Sequence, residues 1–226
     1  MGSARRRIAF IHTSPAAIPP LADYYRTNAP EFEITNLLDD GILRFFAASD
    51  EARSEARLSD LIDAAARTYR VELALITCSA VPRTMMGRLG AAFAIPLVKI
   101  DDALAQRAVS CGSRLGVLVT FPPTQATTER LLHETAVAAK RPVELHTLVV
   151  ADAYDALLGG KPDRHDDLLI AALRKLAGYP LDAIVLAQVS MARILPKLPQ
   201  GLAMPVLSSL PVSLDAVRAA LGAGKR

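Results

Sequence analysis

Short aliphatic runs punctuate the chain at residues 8–12, 32–38, 73–77, 97–100, 115–120, 143–149, 183–187 and 206–207. Most are continuous apolar stretches without strict alternation, the pattern of parallel strands covered on both faces. The longer stretches between them carry helical spacing. Ser49 is expected as an N-cap, with Asp50 and Glu51 in the first turn. Beyond it Leu58, Leu61, Ile62, Ala65 and Tyr69 form one apolar stripe. Residues 163–178 repeat the pattern, with Leu168, Leu169, Ala172, Leu173 and Leu176 on one side and Gly178 as the stop. Alternating β and α elements predict an α/β fold of parallel sheets flanked by helices.

The chain also resembles itself. Arg7-Ile8-Ala9-Phe10-Ile11-His12-Thr13-Ser14-Pro15 parallels Arg114-Leu115-Gly116-Val117-Leu118-Val119-Thr120-Phe121-Pro122 at an offset of 107 residues. Leu75-Ile76-Thr77-Cys78-Ser79-Ala80 parallels Val185-Leu186-Ala187-Gln188-Val189-Ser190 at an offset of 110. Ala94-Ile95-Pro96-Leu97 parallels Ala203-Met204-Pro205-Val206 at an offset of 109. Matches in one order at nearly the same spacing point to an internal duplication. The expectation is two similar four-stranded α/β halves, 1–105 and 106–206. Residues 207–226 would pack back on the first half through a helix starting at Ser213.

Composition narrows the class. Of 226 residues 51% are hydrophobic but only 5% aromatic, with no Trp, so the core is aliphatic and Ala-rich. No run reaches the ~18 apolar residues of a membrane span, and the N-terminus leads into a strand pattern rather than a signal-peptide core. No membrane association is expected. The formal charge is +3 with scattered basic residues. Arg5-Arg6-Arg7 reads as a solvated start of a strand, and no nucleic-acid binding is expected. Two cysteines are too few to staple a fold of this size, which points to a reducing, cytoplasmic setting and possible free thiols.

In open parallel sheets ligands sit beyond the carboxyl ends of the strands. Here those ends carry His12-Thr13-Ser14, Thr77-Cys78-Ser79, Thr120 with Thr124, and Gln188-Val189-Ser190. If the halves face each other about a pseudo-twofold axis, these ends meet in a cleft, with Cys78 and Gln188 on opposite sides. Backbone amides there would suit a carboxylate. Cys78 is the leading candidate: Pro82 suits a first helical turn, and a helix N-terminus stabilises a thiolate. Cys111 precedes its strand, at the other edge of the sheet, and reads as structural. His12 is either a ligand contact or proton carrier, or a histidine satisfied by neighbouring backbone. His133, His146 and His165 read as surface residues. Asp39-Asp40 is either a ligand contact or an ordinary acidic turn, and nothing else supports a Schiff-base role for Lys99. No His or Cys spacing fits a metal site, and no glycine-rich nucleotide motif follows the first strand, so neither metal nor nucleotide is expected.

Over nearly the whole chain these motifs resemble the aspartate/glutamate racemase superfamily, which includes hydantoin racemases, maleate isomerases and arylmalonate decarboxylases. The resemblance rests on Ile11-His12-Thr13-Ser14-Pro15, Leu75 to Ala80, Leu118 to Thr124, and Ile184 to Ala192. It implies a pseudosymmetric pair of α/β halves, a site between them, no cofactor, a small carboxylate-bearing substrate and, as the family-like assembly, a homodimer. It implies that two cysteines work on opposite faces of a carbon next to a carboxylate. Cys78 matches the first of them. Thr13, Ser14, Ser79, Ala80, Thr120, Thr124, Val189 and Ser190 match the substrate-binding loops. Gln188 stands where the second cysteine belongs, and an amide does not exchange a proton near neutral pH. The expected activity is therefore a racemase-like isomerase using Cys78 as acid/base with Gln188 as its partner. The alternatives are a one-cysteine decarboxylase, a maleate-isomerase-like enzyme, or a carboxylate binder without turnover.

Overall fold

A computed structural model describes residues 5–223. The chain divides into two compact units. One runs to Ile100 and takes up the chain again from Ser213; the other spans Asp101–Val212.

The first unit holds strands β1 (Arg6–His12), β2 (Phe32–Leu38), β3 (Leu73–Ile76) and β4 (Leu97–Lys99). They form one parallel sheet in the order β2-β1-β3-β4. Its helices are α1 (Ile18–Asn28), α2 (Ile42–Ala47), α3 (Glu51–Asp63) and α4 (Arg83–Ala92). The second unit holds α5 (Asp102–Cys111), β5 (Arg114–Val119), α6 (Thr124–Ala138), β6 (Glu144–Val149), α7 (Ala151–Leu158), α8 (Pro162–Leu176), β7 (Ala183–Leu186) and β8 (Val206–Leu207). Its sheet is again parallel, in the order β6-β5-β7-β8. The two orders are the same once four is added to each strand number, so the duplication read from the sequence is a duplication of topology.

Continuous apolar strands arise because both faces of each sheet are covered. In the second unit Leu115, Val117, Val119, Ala183 and Val185 pack against Leu104, Ala108, Leu131 and Leu132 of α5 and α6. The alternate residues Leu118, Ile184 and Leu186 pack against Leu169, Leu173 and Leu176 of α8. In the first unit Ala9, Ile11, Ala74 and Ile76 meet Ile42, Leu58, Ile62 and Met85. On the other face the Phe10 ring stands edge-on to Tyr25 of α1, with centroids 4.8 Å apart.

The close packing shows at Gly112 and Gly116. A Cβ on Gly116 would lie 2.7 Å from Leu181 Cδ1. A Cβ on Gly112 would collide with Asp182, whose Oδ2 accepts the Ser113 and Arg114 N–H groups at 2.9 and 2.8 Å and so anchors the start of β5.

Helix ends differ from expectation in three places. Asp50, not Ser49, caps α3: its Oδ1 accepts the Arg53 N–H at 3.0 Å, while Ser49 sits at φ 55°. Tyr69 is 44% exposed rather than on the buried stripe. Residues 64–68 form a wide π-type turn, closed by Tyr69 N–H to Ala64 O. That extra residue rotates Tyr69 away from Leu58, Ile62 and Ala65. The last helix, α9 (Ser209–Ala223), starts at Ser209, so Ser213 lies inside it. Beyond Ser213 it belongs to the first unit, where Arg218 binds Glu31 and the Asn28 carbonyl, and Arg6 reaches the Leu221 carbonyl.

Candidate functional site

In the first unit the ends of β1 and β3 lie side by side. The Thr77 N–H bonds the Ile11 carbonyl at 3.0 Å. Its Oγ1 lies 3.0 Å from that same carbonyl and 2.9 Å from His12 Nδ1. On its other side His12 Nε2 is 2.9 Å from Asn36 Oδ1 on β2. His12 is fully buried. Burial holds its pKa below the ordinary value, with the Asn36 hydrogen bond opposing, so the ring is neutral at neutral pH. The tautomer with its proton on Nε2 fits Asn36 Oδ1 as acceptor, and the single Thr77 hydroxyl hydrogen is then shared between two acceptors, the Ile11 carbonyl and His12 Nδ1. His12 is thus satisfied by side chains from β2 and from the residue after β3. Asn36 went unnoticed as a partner, although a lone amide within Phe32–Leu38 was the available signal.

Cys78 follows Thr77, is buried and forms no disulfide. The backbone turns beneath it, with Val81 N–H to Cys78 O at 3.3 Å. Pro82 is the N-cap of α4, so the helix starts five residues beyond the cysteine. This corrects the expectation of a thiol on a helix N-terminus: the helix dipole decays within the first turn, and the nearer influences on Cys78 are the amides of its own loop. Thr13, Ser79 and Ala80 are buried beside their strand ends. Ser14 caps the short helical turn Pro15–Ala17 by accepting the Ala16 N–H at 3.3 Å. Lys99 is the last residue of β4 and is buried. Asp39 serves its own turn, accepting from Gly41 N–H at 3.0 Å and pairing with Arg57 at 2.9 Å.

The second unit has an equivalent edge. Gln188 stands two residues past β7, as Cys78 stands two past β3. Its Oε1 accepts the Thr120 N–H at 3.0 Å and lies 3.3 Å from the Thr120 hydroxyl. Its Nε2 is shielded from solvent and has no hydrogen-bond partner among the described residues. Val189 and Ser190 begin the 3-10 stretch Val189–Lys197 and are buried; Thr124 is the buried first residue of α6. Cys111 closes α5 and packs partly buried against the core beneath β5, at the edge where that strand starts.

His165 corrects the surface reading. It is fully buried, because it lies four residues before Leu169 on the stripe that α8 turns to the core. Its Nδ1 is 2.7 Å from Asp166, also buried. Burial holds the His165 pKa down against the raising effect of Asp166. Asp166 further takes Lys197 Nζ at 2.8 Å and Arg193 Nε and Nη2 at 3.3 Å each. Burial would raise its pKa, but these hydrogen bonds outweigh it and hold the carboxyl below its usual range. Asp166 thereby ties α8 to the stretch that begins at Val189, a brace the sequence reading missed. Among the described residues no group of three His, Cys, Asp or Glu side chains could hold a metal, and no helix is long and apolar enough to cross a membrane.

The profile of the Asp/Glu/Hydantoin racemase family matches residues 13–217. The chain belongs to that family. No curated protein matches it. Among solved structures, a glutamate racemase of Bacillus anthracis is 13% identical, covers 99% of this chain and 84% of its own, and aligns with a TM-score of 0.70. An allantoin racemase from Klebsiella pneumoniae is 21% identical, with coverage of 97% and 89% and a TM-score of 0.67. An aspartate racemase of Picrophilus torridus is 13% identical, with coverage of 98% and 95% and a TM-score of 0.70. At these identities the likeness is one of fold, and the family's two parallel four-stranded sheets are the ones described above.

Proposed function

We propose that the chain is a racemase-type isomerase that moves a proton at a carbon next to the carboxylate of a small amino acid or related compound. Cys78 is its acid/base and Gln188 a hydrogen-bonding partner. The observation that carries this reading is the buried thiol of Cys78, outside any disulfide, at the carboxyl edge of a parallel sheet, within the span matched by a racemase family. A proton on such a carbon is very weakly acidic. Rate enhancement therefore depends on donors set in advance around the carboxylate as charge develops. Thr13, Ser14, Ser79, Ala80, Thr120, Thr124, Val189 and Ser190, through amides and hydroxyls, are the proposed substrate-binding groups. The cysteine thiolate takes the proton, and the resulting thiol returns one. Gln188 favours a second reading as well: a lyase such as a decarboxylase, in which a single thiol suffices to protonate the product.

Incubation in D2O with aspartate, glutamate and 5-substituted hydantoins, followed by NMR, tests the proposal. Wild type is expected to wash deuterium into the α-position of at least one of them. Cys78→Ala should lose that exchange by about 10²-fold or more, the typical contribution of a positioned acid/base. Carbon dioxide release from a malonate-type acid would favour the lyase. Thermal stabilisation by these compounds without exchange or product, and undiminished in Cys78→Ala, would make the chain a binder instead.

A further inference from the structure

We infer that His165 and Asp166 form an acid-sensitive latch: a proton taken up by the His165 ring releases the stretch 189–197 from α8. The latch lies wholly within the second unit and needs no chemistry at Cys78.

One buried carboxylate holds three partners. Asp166 Oδ1 lies 2.7 Å from His165 Nδ1 and 3.3 Å from Arg193 Nε, while Oδ2 accepts from Lys197 Nζ at 2.8 Å and from Arg193 Nη2 at 3.3 Å. An ionised carboxylate can only accept, so the ring carries its proton on Nδ1. Nε2 is then a lone-pair acceptor, shielded from solvent and with no hydrogen-bond partner among the described residues. A second proton would turn it into a buried, charged N–H with nothing to receive it, a costly group to keep in the closed fold. It would also set a third cation on a carboxylate that already serves Arg193 and Lys197, and so compete with both. Burial already opposes that proton, and the Asp166 hydrogen bond does not overcome it. Three charged groups act on the ring: Asp166 from α8, and Arg193 and Lys197 from the stretch. Asp163 of α8 lies 3.7 Å from Lys197. The other elements packed on α8 carry Asp152, Tyr154 and Asp155 on α7, Arg114 on β5, and Glu144 and His146 on β6, none of which is among the groups that act on the ring.

The stretch 189–197 is the side that yields. It is a 3-10 segment, whose hydrogen bonds are poorer than those of an α-helix, and Pro196 within it has no N–H to give. Its partner α8 is a regular helix anchored by Leu169, Leu173 and Leu176 in the core. Local opening is drawn from weakly bonded segments before regular ones. With the stretch lifted, the ring meets water and takes its proton at the ordinary pKa of ~6.5. The open form therefore binds the proton more tightly than the closed one. Its population is lowest above ~6.5 and grows by up to about tenfold per pH unit below, until the closed ring itself titrates. Val189 and Ser190 begin the stretch and follow Gln188 directly, so acid loosens the edge that carries them.

Hydrogen exchange of the whole chain between about pH 7.5 and 5, read by mass spectrometry and corrected for the intrinsic rate at each pH, tests the latch. Protection of residues 189–197 should fall at least about tenfold over that range, and by more than that of β5 and β7. His165→Gln keeps an amide donor and does not titrate, so its fall in 189–197 should shrink to about twofold or less. Protection of 189–197 that stays level in wild type would overturn the latch. Equal losses in 189–197, β5 and β7 would mean that the unit opens as a whole, and would overturn it too. So would a fall in His165→Gln as large as in wild type. If that variant does not fold, NMR of the wild-type ring decides. Its Cε1–H resonance should titrate in step with the loss of protection, and a ring that stays neutral throughout that loss would overturn the latch.

Discussion

His12 ends β1 of the first unit, Gln188 stands two residues past β7 of the second, and each meets a threonine that follows a strand. Thr77 lies 2.9 Å from the His12 ring, and Thr120 donates to the Gln188 carbonyl oxygen. The candidate groups were legible as residue types at strand ends, because the apolar runs stop there and polar residues begin. Their hydrogen bonds were not legible. Thr120 and Gln188 lie 68 residues apart, and only the β5–β7 pairing brings them together. At this scale the testable residue is Thr77. Thr77→Val preserves shape but leaves the buried His12 Nδ1 without its hydroxyl. The expected loss is about 1–3 kcal/mol, read as a lower denaturant midpoint with an unchanged slope. An unchanged midpoint would mean that the Thr77 hydroxyl adds no net stability at this corner.

Among the elements, strands were read almost to the residue, while helix ends moved. A buried strand announces itself by a continuous apolar run. A helix end is set by local φ and by which side chain reaches a free N–H. Ser49 lost the cap of α3 to Asp50 for that reason, and α9 began at Ser209 rather than Ser213. The helix of most consequence for the site is α8. Through Asp166 it grips Arg193 and Lys197 on the stretch that starts with Val189 and Ser190. Asp166→Asn removes the charge but keeps the volume. With both basic partners partly exposed and screened, the expected cost is about 1–3 kcal/mol. It should be accompanied by faster proteolysis within residues 189–197. If neither stability nor cleavage changed, Asp166 would not be a brace.

On the scale of the whole molecule, each unit carries one fully buried histidine whose pKa burial depresses: His12 in the first and His165 in the second. A base with a lowered folded pKa binds protons better when unfolded. Its contribution to stability is therefore full above the unfolded pKa of ~6.5 and is lost as pH falls toward the folded value. Asp166 adds a second loss at lower pH, below the ordinary carboxylate pKa of ~3.9. Calorimetry should show a Tm nearly flat above about pH 7, declining below ~6.5 and falling further under ~4. A Tm unchanged between about pH 7 and 5 would contradict the neutral, buried state of both rings. The sequence by itself determined the α/β class, the duplication, the strands and the placing of Cys78 and Gln188 at equivalent strand ends. Those properties are written in local apolar runs and in a nearly constant offset of 107–110 residues along the chain. Only the tertiary structure decided that His165 is buried, that Cys78 stands in a loop ahead of α4, and that Gln188 is turned with its NH2 outward from Thr120. Each depends on contacts between segments distant in the chain, or on the φ and ψ of a single turn, and residue spacing carries neither.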